Sequence, residues 1–197
     1  MTQRGGWTIE TSQTVFENAW MTVTTHLGKR PDGAPGTYAV MSPKSYAALI
    51  LPVFADGSIM LVGQPRFALD NYSWEIPEGG SPKTDPPLEG AIRELREETG
   101  LSAGHWQEIL QAEVSNSLTD EQAFGYLAWD LTQGDQALEG AEDIALKQIH
   151  FREALELVMS GELRDLPTIA MLLKAHYMAQ SGLIDTDLAR AMLEQGG

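Results

Sequence analysis

The chain contains no cysteine, which excludes disulfide bonds and thiolate metal sites. Any bound metal ion must therefore be held by oxygen or imidazole ligands. No run of apolar residues approaches the roughly 18 that a transmembrane helix needs, and the opening MTQRGGW lacks the apolar core of a secretory signal. We therefore expect a cytoplasmic protein with no membrane segment.

Basic residues are also scarce. The 197 residues include 13 Lys and Arg against 28 Asp and Glu, for a formal charge of -15. The basic residues are scattered, so no patch attracts a nucleic-acid backbone and we expect no nucleic-acid partner. The acidity itself indicates either a well-solvated surface or carboxylates that hold divalent cations.

The alternation of apolar and polar residues predicts strands, one helix, further strands and then helices, an order typical of an α+β sandwich. Alternating stretches on either side of PDGAPG predict an N-terminal antiparallel hairpin. AALILPVF and SIMLVGQ, joined by an Asp-Gly turn, predict a second hairpin. EGGSPKTDPP predicts a loop. Three C-terminal segments have helical periodicity: REALELVMSGE, PTIAMLLKAHYMAQ and DTDLARAMLEQ.

A helix is predicted after the loop EGGSPKTDPP, and its faces differ in chemistry. At about 100° per residue, one arc is apolar and can pack on a sheet; it comprises Leu88, Ala91, Ile92 and Leu95. The next arc carries three acids beside Gly90, namely Glu94, Glu97 and Glu98. Arg93 can pair with Glu97, but such a pair contributes only about 0.2 to 0.5 kcal/mol. The acidic arc is thus either a solvated face or a site for a hard divalent cation.

The segment from Gly79 to Leu101, GGSPKTDPPLEGAIRELREETGL, resembles the signature of the Nudix hydrolases. It ends in that family's Arg-Glu-apolar-x-Glu-Glu-x-Gly-apolar pattern, and the signature glycine is in place. Asp85 stands where the family usually has Glu, and we expect a local adjustment there without loss of activity. The resemblance implies a Nudix α/β/α sandwich with a mixed sheet over residues 43–197, preceded by an N-terminal antiparallel hairpin extension over residues 1–42.

The resemblance also implies a chemistry, the cleavage of a diphosphate linked to another moiety with Mg²⁺, or alternatively Mn²⁺, as cofactor. By the matching positions, Glu94, Glu97 and Glu98 are the metal-binding acids, with Glu94 and Glu98 the leading direct ligands. The backbone carbonyl of Glu78 is a further candidate ligand. Glu97 and Arg93 are also candidates for catalytic residues.

The flank LVGQPRFALDNYSWEIPEGG is similar to the family branch that hydrolyses ADP-ribose and nucleoside diphosphate sugars. That similarity implies that Arg66 binds substrate phosphate, with an ordinary surface arginine as the alternative. Trp74 and Glu75 are further substrate-binding candidates, although Trp74 also suits a core position. VFENAWMTV and GELRDLPTIAMLLKA resemble the same branch. ADP-ribose leads as substrate, with GDP-mannose or ADP-glucose as alternatives, because VSNSL lacks a proline typical of ADP-ribose hydrolases.

A base for the attacking water is implied on the loop SNSLTDEQ, with Glu121 first and Asp120 second. The acidic loop ALEGAEDIAL offers Glu139 and Glu142 instead. The resemblance further implies a homodimer in which the N-terminal segment exchanges between subunits. Two other hypotheses are a Nudix hydrolase of nucleoside triphosphates or dinucleoside polyphosphates, and a non-catalytic Nudix sensor that binds a nucleotide.

Overall fold

The computed structural model describes residues 1–136 and 144–194, and the chain divides into two compact units. Unit 1 comprises Met1–Tyr46 and Glu113–Gln122. Unit 2 comprises Ala47–Ala112 and Ala123–Gly197. The signature segment therefore lies wholly in unit 2, whereas the loop with Glu121 belongs to unit 1.

Unit 1 is built on a four-stranded antiparallel sheet in the order β1-β2-β3-β4. Its strands are β1 (Thr2–Arg4), β2 (Trp7–Glu17), β3 (Met21–Lys29) and β4 (Pro35–Pro43). The hairpin predicted around PDGAPG is confirmed as β3–β4, in which Met21 pairs with Pro43 and Lys29 with Pro35. Gly33 in the turn has φ 82°, a conformation that glycine adopts at no steric cost.

Within the described residues, unit 2 is organised around two further sheets, in the orders β8-β5-β10-β9 and β11-β6-β7. β5 and β10 pair in parallel, whereas β6 is antiparallel to both its neighbours. The combination of parallel and antiparallel pairs agrees with the predicted mixed architecture. The strands are β5 (Ser45–Pro52), β6 (Ser58–Arg66), β7 (Asn71–Glu75), β8 (Glu78–Pro82), β9 (Leu101–Glu113), β10 (Gln122–Gln133) and β11 (Ala145–His150).

The prediction of a second hairpin is wrong, because its two strands do not pair with each other along their length. Its turn does form, since the Phe54 N–H donates to the Ser58 carbonyl at 2.8 Å and Gly57 has φ 79°. Beyond an isolated Val53–Ile59 bridge, however, β5 and β6 enter different sheets. The reason is that both edges of β5 are taken by β8 and β10, and both edges of β6 by β11 and β7.

The helices in the described ranges are α1 (Pro87–Thr99), α2 (Phe151–Ser160), α3 (Leu166–Gln180) and α4 (Thr186–Leu193). α1 packs on β8 and β6, and α2 contacts β11, α3 and α4. Gly161 ends α2 in the left-handed conformation, with φ 79°. None of the helices in the described part of the chain is long and apolar enough to cross a membrane.

The apolar arc of α1 is buried over the strands of unit 2. Ala91 and Leu95 are fully buried, and Leu88 is partly buried against the same cluster. Ile92 is 45% exposed, so its predicted core position is wrong; it lies at the edge of the arc. The buried cluster comprises Ala48, Ile50, Met60, Ala91, Leu95, Leu101, Tyr126 and Ala128. This packing fixes the rotation of α1 and hence the direction of its acidic arc.

Candidate functional site

The acidic face of α1 lies close to β8. The predicted loop EGGSPKTDPP in fact begins as this strand, which pairs with β5. A Cβ atom added to Gly90 would overlap the Ser81 side chain, and one added to Gly79 would overlap the Glu94 carboxyl group. The two glycines therefore permit the close approach of helix and strand, and they place the Glu94 carboxylate directly over the Gly79 backbone.

Arg93 connects three groups on this face. Its guanidinium donates to the Glu97 carboxylate at 2.6 Å, to the Glu94 carboxylate at 2.7 Å and to the Gly80 carbonyl at 2.7 Å. Partial burial lowers the pKa of Arg93, but the charges of Glu94 and Glu97 and their hydrogen bonds outweigh it and raise the pKa. The fork of donors in Arg93 thus holds two signature carboxylates and a β8 carbonyl in one arrangement.

Glu98 faces inward from α1 and is only 4% exposed. Its carboxylate accepts a hydrogen bond from the backbone N–H of Glu78 at 3.0 Å. The Glu78 side chain accepts from Arg66 at 3.0 Å through Oε1, while its buried Oε2 has no hydrogen-bond partner among the described residues. Burial raises the pKa of Glu78 well above its usual value; Asp165 and Glu75 add to the increase, and Arg66 opposes it.

Arg66 and Glu75 form one ion pair. The Nε atom of Arg66 donates to the two Glu75 carboxylate oxygens at 2.9 and 3.1 Å, and Nη2 makes a further contact to Glu75. Hydrogen bonding to Glu75 is the main cause that raises the pKa of Arg66. Glu75 is 2% exposed, whereas the Arg66 side chain is 37% exposed. The buried acid therefore orients a guanidinium that still reaches solvent.

Trp74 and Asp85 have simpler surroundings. Trp74 packs edge-to-face on Tyr72, with ring centroids 5.7 Å apart, and the Lys147 ammonium lies 5.8 Å from the Trp74 ring centroid. Asp85 is exposed, and its carboxylate accepts a hydrogen bond from the neighbouring Thr84 hydroxyl at 2.9 Å. Their predicted roles, substrate contact for Trp74 and orientation for Asp85, stay predictions.

The donor atoms on this face are oxygens, which are the ligands that Mg²⁺ prefers. Arg93 pairs with the Glu94 and Glu97 carboxylates, and Arg66 pairs with the Glu78 carboxylate. The Glu98 carboxylate accepts the Glu78 N–H, and the buried Glu78 Oε2 has no donor among the described residues. Across residues 1–136 and 144–194, no three acidic or histidine side chains converge at metal-ligand spacing. The oxygen set fits a hard divalent cation, and the metal roles of Glu78, Glu94, Glu97 and Glu98 stay predictions.

The candidate base loop runs beside β4 in unit 1. The Tyr38 hydroxyl donates to the Ser117 carbonyl at 2.5 Å, and the Ser42 hydroxyl donates to the Asp120 carboxylate at 2.8 Å. Asp120 and Glu121 both line a cavity of about 370 Å³ in this unit. Their predicted roles as a base, with Glu121 first and Asp120 second, stay predictions. The other candidates, Glu139 and Glu142, lie outside the described residues.

The sequence did not single out the start of α3, which the structure brings to the site. The Asp165 carboxylate caps this helix by accepting the Thr168 N–H at 2.8 Å. The Thr168 hydroxyl in turn accepts the N–H of Ile76 at 3.0 Å. Burial raises the pKa of Asp165, and hydrogen bonds from Thr168 oppose the increase. An Asp followed by a first-turn proline is a recognisable helix start, but only the fold places it beside Ile76.

The NUDIX domain model matches residues 43–168 of the chain. The ADP-ribose pyrophosphatase of Bacillus subtilis (strain 168) is 34% identical over 124 residues, which span 62% of this chain and 67% of that protein. The ADP-ribose pyrophosphatase of Mycobacterium tuberculosis is 31% identical over 148 residues, 72% of each chain. The GDP-mannose pyrophosphatase of Escherichia coli O157:H7 is 28% identical over 137 residues, 65% of this chain and 70% of that one.

A solved structure described as an ADP compounds hydrolase matches the fold with a TM-score of 0.79. The match covers 93% of this chain and 100% of the other at 19% sequence identity. At this low sequence identity, the match shows a shared fold only. It confirms the predicted α+β class.

Proposed function

Because this chain belongs to the Nudix family and is a hydrolase acting on phosphoanhydride bonds, we propose that it cleaves ADP-ribose or a related nucleoside diphosphate sugar. Water adds to one phosphorus of the diphosphate and the bridging P–O bond breaks, which yields a nucleoside monophosphate and a sugar phosphate. The names of the relatives, two ADP-ribose pyrophosphatases and a GDP-mannose pyrophosphatase, support this substrate class.

The proposal depends on Glu78, because this residue is bonded both to the acidic face of α1 and to the candidate phosphate-binding arginine. Its backbone N–H is bound by Glu98 on the acidic face of α1 at 3.0 Å. Its side chain is bound by Arg66 from β6, also at 3.0 Å. Carboxylates are suited to a divalent cation, and a guanidinium is suited to phosphate. A metal-bound diphosphate is a ligand that needs both within a short distance.

We assign the metal to Mg²⁺, with Mn²⁺ as the alternative, held by Glu94, Glu97, Glu98 and the backbone carbonyl of Glu78. When bound, such an ion polarises phosphoryl oxygens and promotes ionisation of water. Arg93 holds the Glu94 and Glu97 carboxylates in fixed positions through its bonds of 2.7 and 2.6 Å. Glu98 accepts the Glu78 N–H and so orients the peptide group next to the proposed carbonyl ligand.

The substrate side of the site depends on Arg66 and Glu75. Arg66 has donors beyond those that Glu75 engages, since guanidinium offers five N–H groups, and its 37% exposure leaves it accessible to phosphate. Glu75 acts by holding Arg66, and Trp74 on the same strand is a candidate for substrate contact. For the water-activating base we retain Glu121 as the first candidate and Asp120 as the second.

A substrate panel tests the proposal. The chain is incubated with ADP-ribose, GDP-mannose, ADP-glucose, UDP-glucose, a nucleoside triphosphate and a dinucleoside polyphosphate, in Mg²⁺, Mn²⁺ or EDTA, and products are separated by anion exchange. We expect the highest kcat/KM for a nucleoside diphosphate sugar and none with EDTA. A higher kcat/KM for the triphosphate or dinucleoside polyphosphate would replace the proposed substrate class. Saturable binding without any product would favour the non-catalytic sensor.

Three further features stay predictions: the domain bounds at 1–42 and 43–197, the homodimer and the cytoplasmic location. Light scattering at micromolar concentration measures the oligomeric state. A monomeric mass would contradict the homodimer.

A further inference from the structure

We propose that Thr168 on α3 is a positioning residue for the site, an inference that rests on the proposed function. Thr168 acts on the bend Ile76–Glu78, which joins the end of β7 to the start of β8. This bend separates Glu75, which orients Arg66, from Glu78, whose carbonyl is a proposed metal ligand. The conformation of the bend therefore sets the phosphate-binding arginine relative to the metal-binding face.

Each residue of the bend is bonded to a different element of unit 2. The Ile76 N–H donates to the Thr168 hydroxyl of α3 at 3.0 Å. The Pro77 carbonyl accepts from the N–H of Ile50 in β5 at 2.9 Å. The Glu78 N–H donates to Glu98 of α1 at 3.0 Å. Since proline has no N–H, these bonds fix one backbone group at each of three successive residues.

The Thr168 bond links the bend to α3. Ile76 and Thr168 are both fully buried, so water cannot replace the hydroxyl if it is removed. A buried N–H without an acceptor is strongly unfavourable, and the bend can relieve it only by turning the Ile76 peptide. The cap from Asp165 at 2.8 Å holds the first turn of α3, and hence Thr168, in place.

The position of Thr168 distinguishes this role from ordinary core packing. The methyl group of threonine contributes to packing, whereas the hydroxyl alone meets the bend. Thr168→Val keeps the branched shape and removes the hydroxyl, which accepts the Ile76 N–H and also hydrogen-bonds Asp165; exchange at the Ile76 amide reports on the first of these contacts. Thr168→Ser keeps the acceptor and removes the methyl group. If the hydroxyl positions the bend, the valine variant is impaired in turnover and the serine variant is rescued.

The test compares kcat and KM for the best nucleoside diphosphate sugar in wild type, Thr168→Val and Thr168→Ser. A matched control is Asp185→Ala, which removes the cap of α4, where Asp185 accepts from Asp187 and Leu188 at 3.0 Å each. This control perturbs another helix start that has no bond to the bend. We expect kcat to fall about tenfold or more in the valine variant, within the range reported for small misplacements of reacting groups, with KM changed less. The serine variant and Asp185→Ala should retain kcat within about twofold.

A second readout does not depend on activity. Hydrogen exchange at the Ile76 amide, followed by NMR without metal or substrate, should be strongly protected in wild type and Thr168→Ser, and faster in Thr168→Val. Equal kcat in the valine and serine variants overturns the inference. Rapid exchange of the Ile76 amide in the wild type also overturns it, and this measurement can be made even if the valine variant does not fold. A wild type that hydrolyses no nucleoside diphosphate sugar defeats the proposed function instead, and the exchange data then still decide whether Thr168 anchors the bend.

Discussion

The Glu98 carboxylate accepts the backbone N–H of Glu78 at 3.0 Å, which ties the last turn of α1 to the first residue of β8. Glu98 is 4% exposed, so its orientation is fixed by the protein interior. The same side chain is thus a proposed metal ligand and a support for the peptide that carries another. Its charge and its hydrogen bond can be separated by substitution.

Glu98→Gln should fold normally and lose turnover. The amide retains an acceptor oxygen for the Glu78 N–H but removes the negative charge that a cation requires. We expect kcat to fall at least about a hundredfold, the scale of a lost electrostatic contact in a transition state. Glu89→Gln, at an exposed position in the first turn of the same helix, should remain near wild type. Turnover at the wild-type rate in Glu98→Gln would remove Glu98 from the site.

Gly79→Ala should impair the site through a steric clash. The added Cβ would overlap the Glu94 carboxyl group, which must then leave its position over the strand. We expect kcat/KM to fall about tenfold or more, while circular dichroism shows an intact fold. Gly134→Ala is the control, because among the described residues its Cβ would meet the Gly100 carbonyl oxygen at 3.2 Å and no side chain. Equal activity in both variants would show that the position of Glu94 is not critical.

Arg93→Lys should be costly although the charge is conserved. A lysine presents one ammonium group and cannot reproduce the planar fork that contacts Glu94, Glu97 and the Gly80 carbonyl together. We expect kcat/KM to fall about tenfold or more. Arg96→Lys, an exposed substitution near the end of the same helix, should have little effect. If Arg93→Lys retains the same kcat/KM as Arg96→Lys, a positive charge at position 93 is sufficient and the planar guanidinium is not required.

Arg66→Gln should lower both stability and substrate affinity. It leaves the nearly buried Glu75 carboxylate without a cation, and we expect the free energy of unfolding to fall by about 2 kcal/mol, less than for a fully buried pair because Arg66 is partly exposed. Adding Glu75→Gln should restore much of the stability without restoring KM, because the phosphate contact is still missing. Urea unfolding and steady-state kinetics measure the two effects. Recovery of KM in the double variant would argue against a phosphate contact from Arg66.

The metal-free chain should become less stable as the pH rises. Burial raises the pKa of Glu78 above its ordinary value of 4.5. At a pH between the ordinary pKa of the unfolded chain and the raised pKa of the folded chain, Glu78 is protonated in the folded chain and ionised in the unfolded chain. The free energy of unfolding therefore falls as the pH rises through this window. Urea unfolding in EDTA from pH 4.5 upward measures the slope. Glu78→Gln should reduce it, leaving the smaller contribution of Asp165, whose pKa is also raised.

The sequence predicted best what depends on neighbouring residues. The helical period of RELREETGL places Glu97 one turn from Arg93, and the structure contains that contact at 2.6 Å. The same period wrongly placed Ile92 in the buried apolar arc, because the angular position of a residue on a helix does not show how far the neighbouring sheet covers it. Strand partners were harder: alternation identified β5 and β6 but not that β10 pairs with β5.

The ion pair of Arg66 and Glu75 was predicted as two separate substrate contacts. In the β6–β7 ladder Arg66 lies opposite Asn71, and Glu75 lies opposite Val62. The two side chains therefore meet diagonally along the ladder, which single-sequence periodicity does not specify. The contact of Thr168 with Ile76 was missed for a related reason. It joins residues 92 positions apart, and only tertiary packing brings them together.

The three anchors of the bend also limit what can be transplanted. Ile50 and Thr168 lie outside the signature segment from Gly79 to Leu101, as do all three bend residues, Ile76, Pro77 and Glu78. A graft of that segment into another scaffold would carry the acids, Arg93 and the glycines but leave behind β5 and α3, which hold the preceding peptide groups. The signature segment identifies the type of reaction, but the positions of the groups around it depend on strands and helices throughout unit 2.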